Sequence, residues 1–139
     1  MVSIKAKEYL MQIGKLNTLI RIKQEELAEV TAKAGVGSVG YDNDGSTNAS
    51  RDIHKQERLY LKMIELKESI NRDLEEYMMK RDEVLRTVSK LKDQSEIDVL
   101  YKRYFQFMKW EEIAEDMCYT ERYIYNIHGN ALQHLQEFI

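Results

Sequence analysis

The sequence predicts an all-α protein, and three observations predict it. The chain has 139 residues, no proline and 32% charged side chains, with few residues that favour strands. Two long stretches, residues 3–33 and 51–93, carry apolar side chains at alternating steps of three and four. Residues 109–135, KWEEIAEDMCYTERYIYNIHGNALQHL, read as two short helices around a tight turn. The expected architecture is an N-terminal long helical hairpin or coiled coil over residues 1–94, with a flexible linker at 34–50. A C-terminal three-helix head follows over residues 95–139.

In the first stretch Ala6, Tyr9, Ile13, Leu16, Ile20, Leu27 and Val30 form one stripe, broken near Lys23. A 3.5-residue period puts them on a single face of a helix of about nine turns. With three solvated faces, this helix needs a partner helix. Residues 34–50, AGVGSVGYDNDGSTNAS, hold four of the six glycines. Ordering such a segment costs too much backbone entropy, so a connector is expected. GVGSVG is not followed by Gly-Lys-Ser/Thr and does not follow a strand pattern, which argues against a phosphate-binding loop.

The second stretch has no internal Gly or Pro. Ile53, Tyr60, Met63, Ile70, Leu74, Tyr77, Val84, Val88 and Leu91 keep the three–four step, with Lys67 and Arg81 intruding. A helix of this length runs about 64 Å and outreaches the first. Its uncovered seam needs a second copy of the chain, the C-terminal head or another protein, and a homodimer is the expectation. Ser95 with Asp98 reads as a capping box for the next helix, which ends near Phe105. Trp110 opens a further helix, with Glu111 and Glu112 in its first turn, where the helix dipole favours negative charge. Cys118 and Tyr119 make the turn, and Thr120 caps a last helix over residues 120–138. The head's core is expected to be Leu100, Tyr104, Trp110, Ile113, Met117, Ile124, Ile127, Leu132 and Leu135.

Two helices joined in this way have the layout of a helix-turn-helix, whose second helix enters the DNA major groove. Arg122 suits guanine and Asn126 suits adenine, and Glu121 suits cytosine N4 or the helix dipole. Thr120, Tyr123 and Tyr125 suit phosphate oxygens. Asn130, Lys109 and Arg103 complete the candidate DNA-binding set. Charge sets a limit on this reading. Residues 1–94 hold 17 Lys and Arg against 16 Asp and Glu, a net of +1, and residues 95–139 hold 4 against 8, a net of −4. Phosphate contacts supply most non-specific affinity, so an acidic head is expected to act in pairs or beside another protein. Lys102, Arg103, Lys109 and Arg122 would then line one edge, with Glu111, Glu112, Glu115 and Asp116 facing away.

Other chemistries find no support. His54, His128, His134 and Cys118 have no zinc spacing. Cys118 has no neighbouring base and reads as a small packed residue. The pairs Glu111/Glu112 and Glu75/Glu76 point in different directions on their helices and do not form a catalytic dyad. Trp110 and His128 read as packing residues. Neither an enzyme, a cofactor, a metal nor a small-molecule substrate is expected. No apolar run approaches the ~20 residues that span a bilayer, and no signal-peptide core is present. The lone cysteine excludes an internal disulfide. The expectation is a cytoplasmic protein without a membrane partner.

The C-terminal residues also carry a resemblance. The pattern V-L-x-x-R-Y-F (residues 99–105), then W-E-E-I-A (110–114), T-x-x-x-I-x-x-I (120–127) and A-L-x-x-L (131–135) resembles region four of bacterial sigma factors. The opening A-K-E-Y-L-x-Q-I-x-x-L (6–16) and the ending through I-H-G-x-A-L are similar to small phage and prophage proteins of Gram-positive bacteria. Those are related to sigma-like late-gene regulators of the RinA and ArpU type. The resemblance implies a phage-encoded transcriptional regulator with a sigma-like helix-turn-helix head. Such a regulator would bind promoter or operator double-stranded DNA, with RNA polymerase as a further partner. The alternative is an interaction module that binds polymerase, a sigma factor or another host protein without autonomous DNA binding. Where sigma factors place Arg, Gln and Lys on the recognition helix, this chain has Tyr125, Asn126 and Asn130.

Overall fold

The structure is a computed structural model describing residues 2–35 and 49–139, so most of the 34–50 connector lies outside the described residues. Among these the regular structure is entirely helical: α1 (Val2–Lys33), α2 (Ala49–Val88), α3 (Gln94–Leu100), a π-helical stretch (Tyr101–Phe105), α4 (Trp110–Met117) and α5 (Glu121–Leu135), then a 3-10 turn (Gln136–Phe138). None of the helices is long and apolar enough to cross a membrane. Contacts divide the chain into two units, Met1–Asn17 with Glu76–Ile139, and Thr18–Glu75.

In the second unit α1 and α2 run antiparallel. Lys23 Nζ sits 2.6 Å from Asp73 Oδ2 and donates to Ser69 Oγ at 2.6 Å. Lys62 pairs with Glu26 at 3.4 Å, and the Gln56 amide donates to the Ala34 carbonyl. Ile20, Met63, Leu66 and Ile70 are buried between them. The break near Lys23 in the α1 stripe thus has a cause: the ammonium faces α2 and meets a carboxylate.

The stripe on α2 departs from expectation. Its inward positions step through Met63, Leu66, Ile70, Asp73 and Tyr77, while Ile53, Tyr60 and Leu74 are exposed. Periodicity counted Leu74 as inward because Asp73 is polar, yet the charge of Lys23 makes Asp73 the inward residue. Lys67, expected to intrude on the stripe, is exposed. On α1 the fully buried Leu10 also belongs to the seam, beside the half-buried Tyr9.

The first unit holds two apolar clusters. One joins Ala6, Leu10 and Ile13 of α1 and Val84, Val88 and Leu91 to Leu100, Tyr104, Phe105, Ala131, Leu132 and Leu135. The other holds Val99, Ile113, Ala114, Ile124 and Ile127, with Met108, Trp110 and Met117 against it. The expected single head core is therefore two cores. α5 is amphipathic on two sides, and its Ala131–Leu132–Leu135 side packs toward α1 and α2. In this unit the far end of the α2 seam is covered by the C-terminal helices. Tyr9 Oη and Thr87 Oγ1 add a 2.9 Å hydrogen bond there.

Local boundaries follow from backbone satisfaction. α2 ends at Val88, five residues before the expected Asp93. α3 is capped by Asp93, whose Oδ1 accepts from Ser95 N at 2.9 Å. Asp93 and not Ser95 is thus the capping residue, with the Ser95 N–H donating to it. After α3 the helix widens, with Gln106 N donating to Tyr101 O at 3.1 Å, a five-residue step, which turns both Tyr104 and Phe105 inward. Phe107 at φ 57° reverses the chain. Cys118 at φ 60° closes α4 in the left-handed region. It is exposed, contrary to the packed position expected, because the left-handed cap that ends α4 leaves this residue on the outside of the turn.

Candidate nucleic-acid interface

The candidate surface is built on the turn between α4 and α5. Lys109 stands at the start of α4, its N–H donating to Glu112 Oε1 at 2.9 Å. Thr120 caps α5, its Oγ1 accepting from Tyr123 N at 3.1 Å, which satisfies one of the orphan N–H groups of the first turn. Ile124 and Ile127 face the core, so Glu121, Arg122, Tyr123, Tyr125, Asn126 and Asn130 all project outward and are exposed. Every residue expected on the outer face of this helix therefore lies there.

Aromatic contacts hold this surface in place. Tyr123 lies edge-on to Tyr119 with ring centroids 4.7 Å apart. Tyr125 leans on Trp110 at 5.1 Å, and His128 stands edge-on to the same indole at 4.7 Å. Arg103 lies over the other side of this site, its guanidinium 4.4 Å from the Trp110 ring centroid and donating to Met108 O at 2.9 Å. Trp110 is thus a half-buried hub between the π-helical stretch and α5.

The basic edge is narrower than the sequence suggests. Lys102 pairs with Asp116 at 2.8 Å, so Asp116 faces this edge and not away from it. Of the four head cations, Lys102 and Arg103 are committed within the fold, while Lys109 and Arg122 stand exposed.

His128 shows how the rear of α5 is anchored. Its Nε2 lies 2.7 Å from Tyr104 Oη. Burial, with Lys7 and Arg103 nearby, pushes the imidazole down to about 4. Burial pushes the Tyr104 phenol up to about 12. At neutral pH both partners are therefore uncharged, and the bond joins a neutral phenol to a neutral imidazole. His134, in the last turn of α5, has the opposite setting. Its Nδ1 meets Glu96 Oε1 at 2.9 Å, and that hydrogen bond and charge hold its pKa above the usual value. Glu96 is only 4% exposed, so this pair fastens α5 to α3.

Sequence reasoning missed two residues of this surface. A shallow recess of about 600 Å³ is lined by Tyr123, Tyr125, Asn126, Gly129, Asn130, Leu132 and Gln133. Gly129 and Gln133 fall on the helical spacing of Asn126 and Asn130, a signal that was present in the sequence. Among the described residues no three His, Cys, Asp or Glu side chains come together in a way that could hold a metal ion. What the arrangement offers is hydrogen bonding: carboxamides, phenols and one exposed guanidinium on a rigid helix.

Residues 45–136, the greater part of the chain, match the model of one family, described as a protein of unknown function (DUF1492). No curated protein matches the chain, and no solved structure does.

Proposed function

The chain belongs to the DUF1492 family of proteins of unknown function, and we propose that it is a phage-encoded, sequence-specific DNA-binding regulator of transcription, acting as a late-gene activator. In this reading α1 and α2 form a helical hairpin that carries a sigma-like helix-turn-helix head. α3 with the π-helical stretch, α4 and α5 are the three helices of that head, and α5 enters the major groove. The observation that carries the reading is the outward set Arg122, Tyr125, Asn126 and Asn130 on a helix capped by Thr120. Around it, Ile113, Ala114, Ile124 and Ile127 form the small core such a unit needs. Arg122 in the first turn is the residue with the reach and donor geometry for a guanine.

The head's charge supports help from a partner. With Lys102 paired to Asp116 and Arg103 held on Trp110, few cations remain for phosphates. A pair of heads gains avidity that each lacks alone. Exposed Ile53, Tyr60, Leu61 and Ile64 on α2 offer an apolar face for homodimerisation. The same shortage of cations favours a second reading, in which the head docks on RNA polymerase or a sigma factor and touches DNA only there.

Footprinting on the parent replicon separates them. A discrete promoter-proximal footprint by the protein alone supports autonomous binding. A footprint that forms only with polymerase supports the second reading, and none in either condition sinks both. Arg122→Ala is expected to abolish sequence selectivity with helix content and sedimentation unchanged, and retained selectivity would refute the docking.

A further inference from the structure

Asn126, Asn130 and Gln133 are all exposed on α5 and share one recess with Gly129. At about 100° per residue the three carboxamides fall within an arc of roughly 60°. They form a strip along the helix without a formal charge, in a chain with 32% charged residues. Gly129 sits beside that strip, in the interior of a 15-residue helix. A glycine there costs about 1 kcal/mol against alanine. The fold does not require it, because a Cβ at this position would meet nothing within 4 Å. The open space lies on the outer face, where a missing side chain lets another molecule approach the helix backbone.

From these placements we infer that the 126–133 strip reads adenines of A·T pairs spaced along the groove, with Gly129 letting α5 lie flush along the groove floor. The inference rests on the DNA-binding reading above and deepens it. A carboxamide is the side-chain group that both donates and accepts in one plane, and it matches adenine N7 and N6 bidentately. The helical rise separates Asn130 from Asn126 by about 6 Å and Gln133 from Asn126 by about 10.5 Å. At 3.4 Å per base pair these steps correspond to about two and three pairs. Gln133 is thereby a specificity-determining residue beyond the first turns of the helix.

The test is selection of binding sites from a random duplex pool by the full-length protein, repeated with polymerase present. Analogue substitution in the selected duplex follows. 7-Deazaadenine lacks the N7 acceptor, and 7-deazaguanine is its control. The expected result is enrichment of A·T pairs at these spacings, with affinity lost about ten-fold per 7-deazaadenine at a contacted step. Asn130→Ala and Gln133→Ala are expected to remove that sensitivity at their own steps only, with unchanged helix content. Selected sites with G·C at these steps, or indifference to 7-deazaadenine, overturn the inference and leave DNA binding standing. No enrichment with or without polymerase overturns both.

Discussion

The burial of His128, with Lys7 and Arg103 nearby, makes stability depend on pH in a definite direction. In the unfolded chain His128 takes up a proton near 6.5, whereas in the fold it does so only near 4. Between these values the unfolded state binds the extra proton, so stability falls as pH falls. A displacement of this size corresponds at full weight to about 3 kcal/mol, and partial exposure with solvent screening reduces it to about 2 kcal/mol. That contribution is complete above pH 6.5 and is lost toward pH 4. The protein has three histidines, so NMR titration can follow each ring separately. Urea unfolding at half-unit pH steps then measures the loss. In His128→Gln the acid-side slope between pH 6.5 and 4 is expected to shrink by this amount. A His128 ring that titrates at its ordinary value, or a variant with the wild-type slope, refutes the reasoning.

The opposite window belongs to His134. Its folded pKa is raised by Glu96, so the pair stabilises below the unfolded value and is lost as pH rises through the folded one. His134→Ala is expected to flatten the alkaline side of the same urea series and leave the acid side unchanged. Leu100→Ala removes a fully buried side chain shared by the C-terminal helices and α1. It is expected to cost about 2–5 kcal/mol in denaturant titration. Gly129→Ala is expected to raise stability by about 0.5–1 kcal/mol, because the added Cβ meets no atom and helix propensity improves. A fall in melting temperature for that variant would show that the glycine serves the fold.

The all-helical class was legible because helices leave their period in the sequence. The outer face of α5 was legible for the same reason: once Thr120 fixes the start, 3.6 residues per turn decides which side chains leave the core. Where Asp73 and Leu74 compete for one inward position of α2, the period gave the wrong answer. Asp73 displaced Leu74 because Lys23, fifty residues away, supplies its counter-charge. Only the partner surface can announce such a pairing.

The sequence by itself determined that this chain is helical, where its last two helices begin, and which of their residues face outward. Those properties depend on neighbours within a few turns. Tertiary structure alone decided that the head's core is two cores, that Ala131, Leu132 and Leu135 pack toward α1 and α2, and that Cys118 is exposed. It also decided which cations remain on the surface, since Lys102 and Arg103 are taken by Asp116 and Trp110. Net charge counts residues, while binding depends on those left unpaired. The reason is common to each case: burial and pairing are relations between distant segments, and periodicity describes one segment at a time.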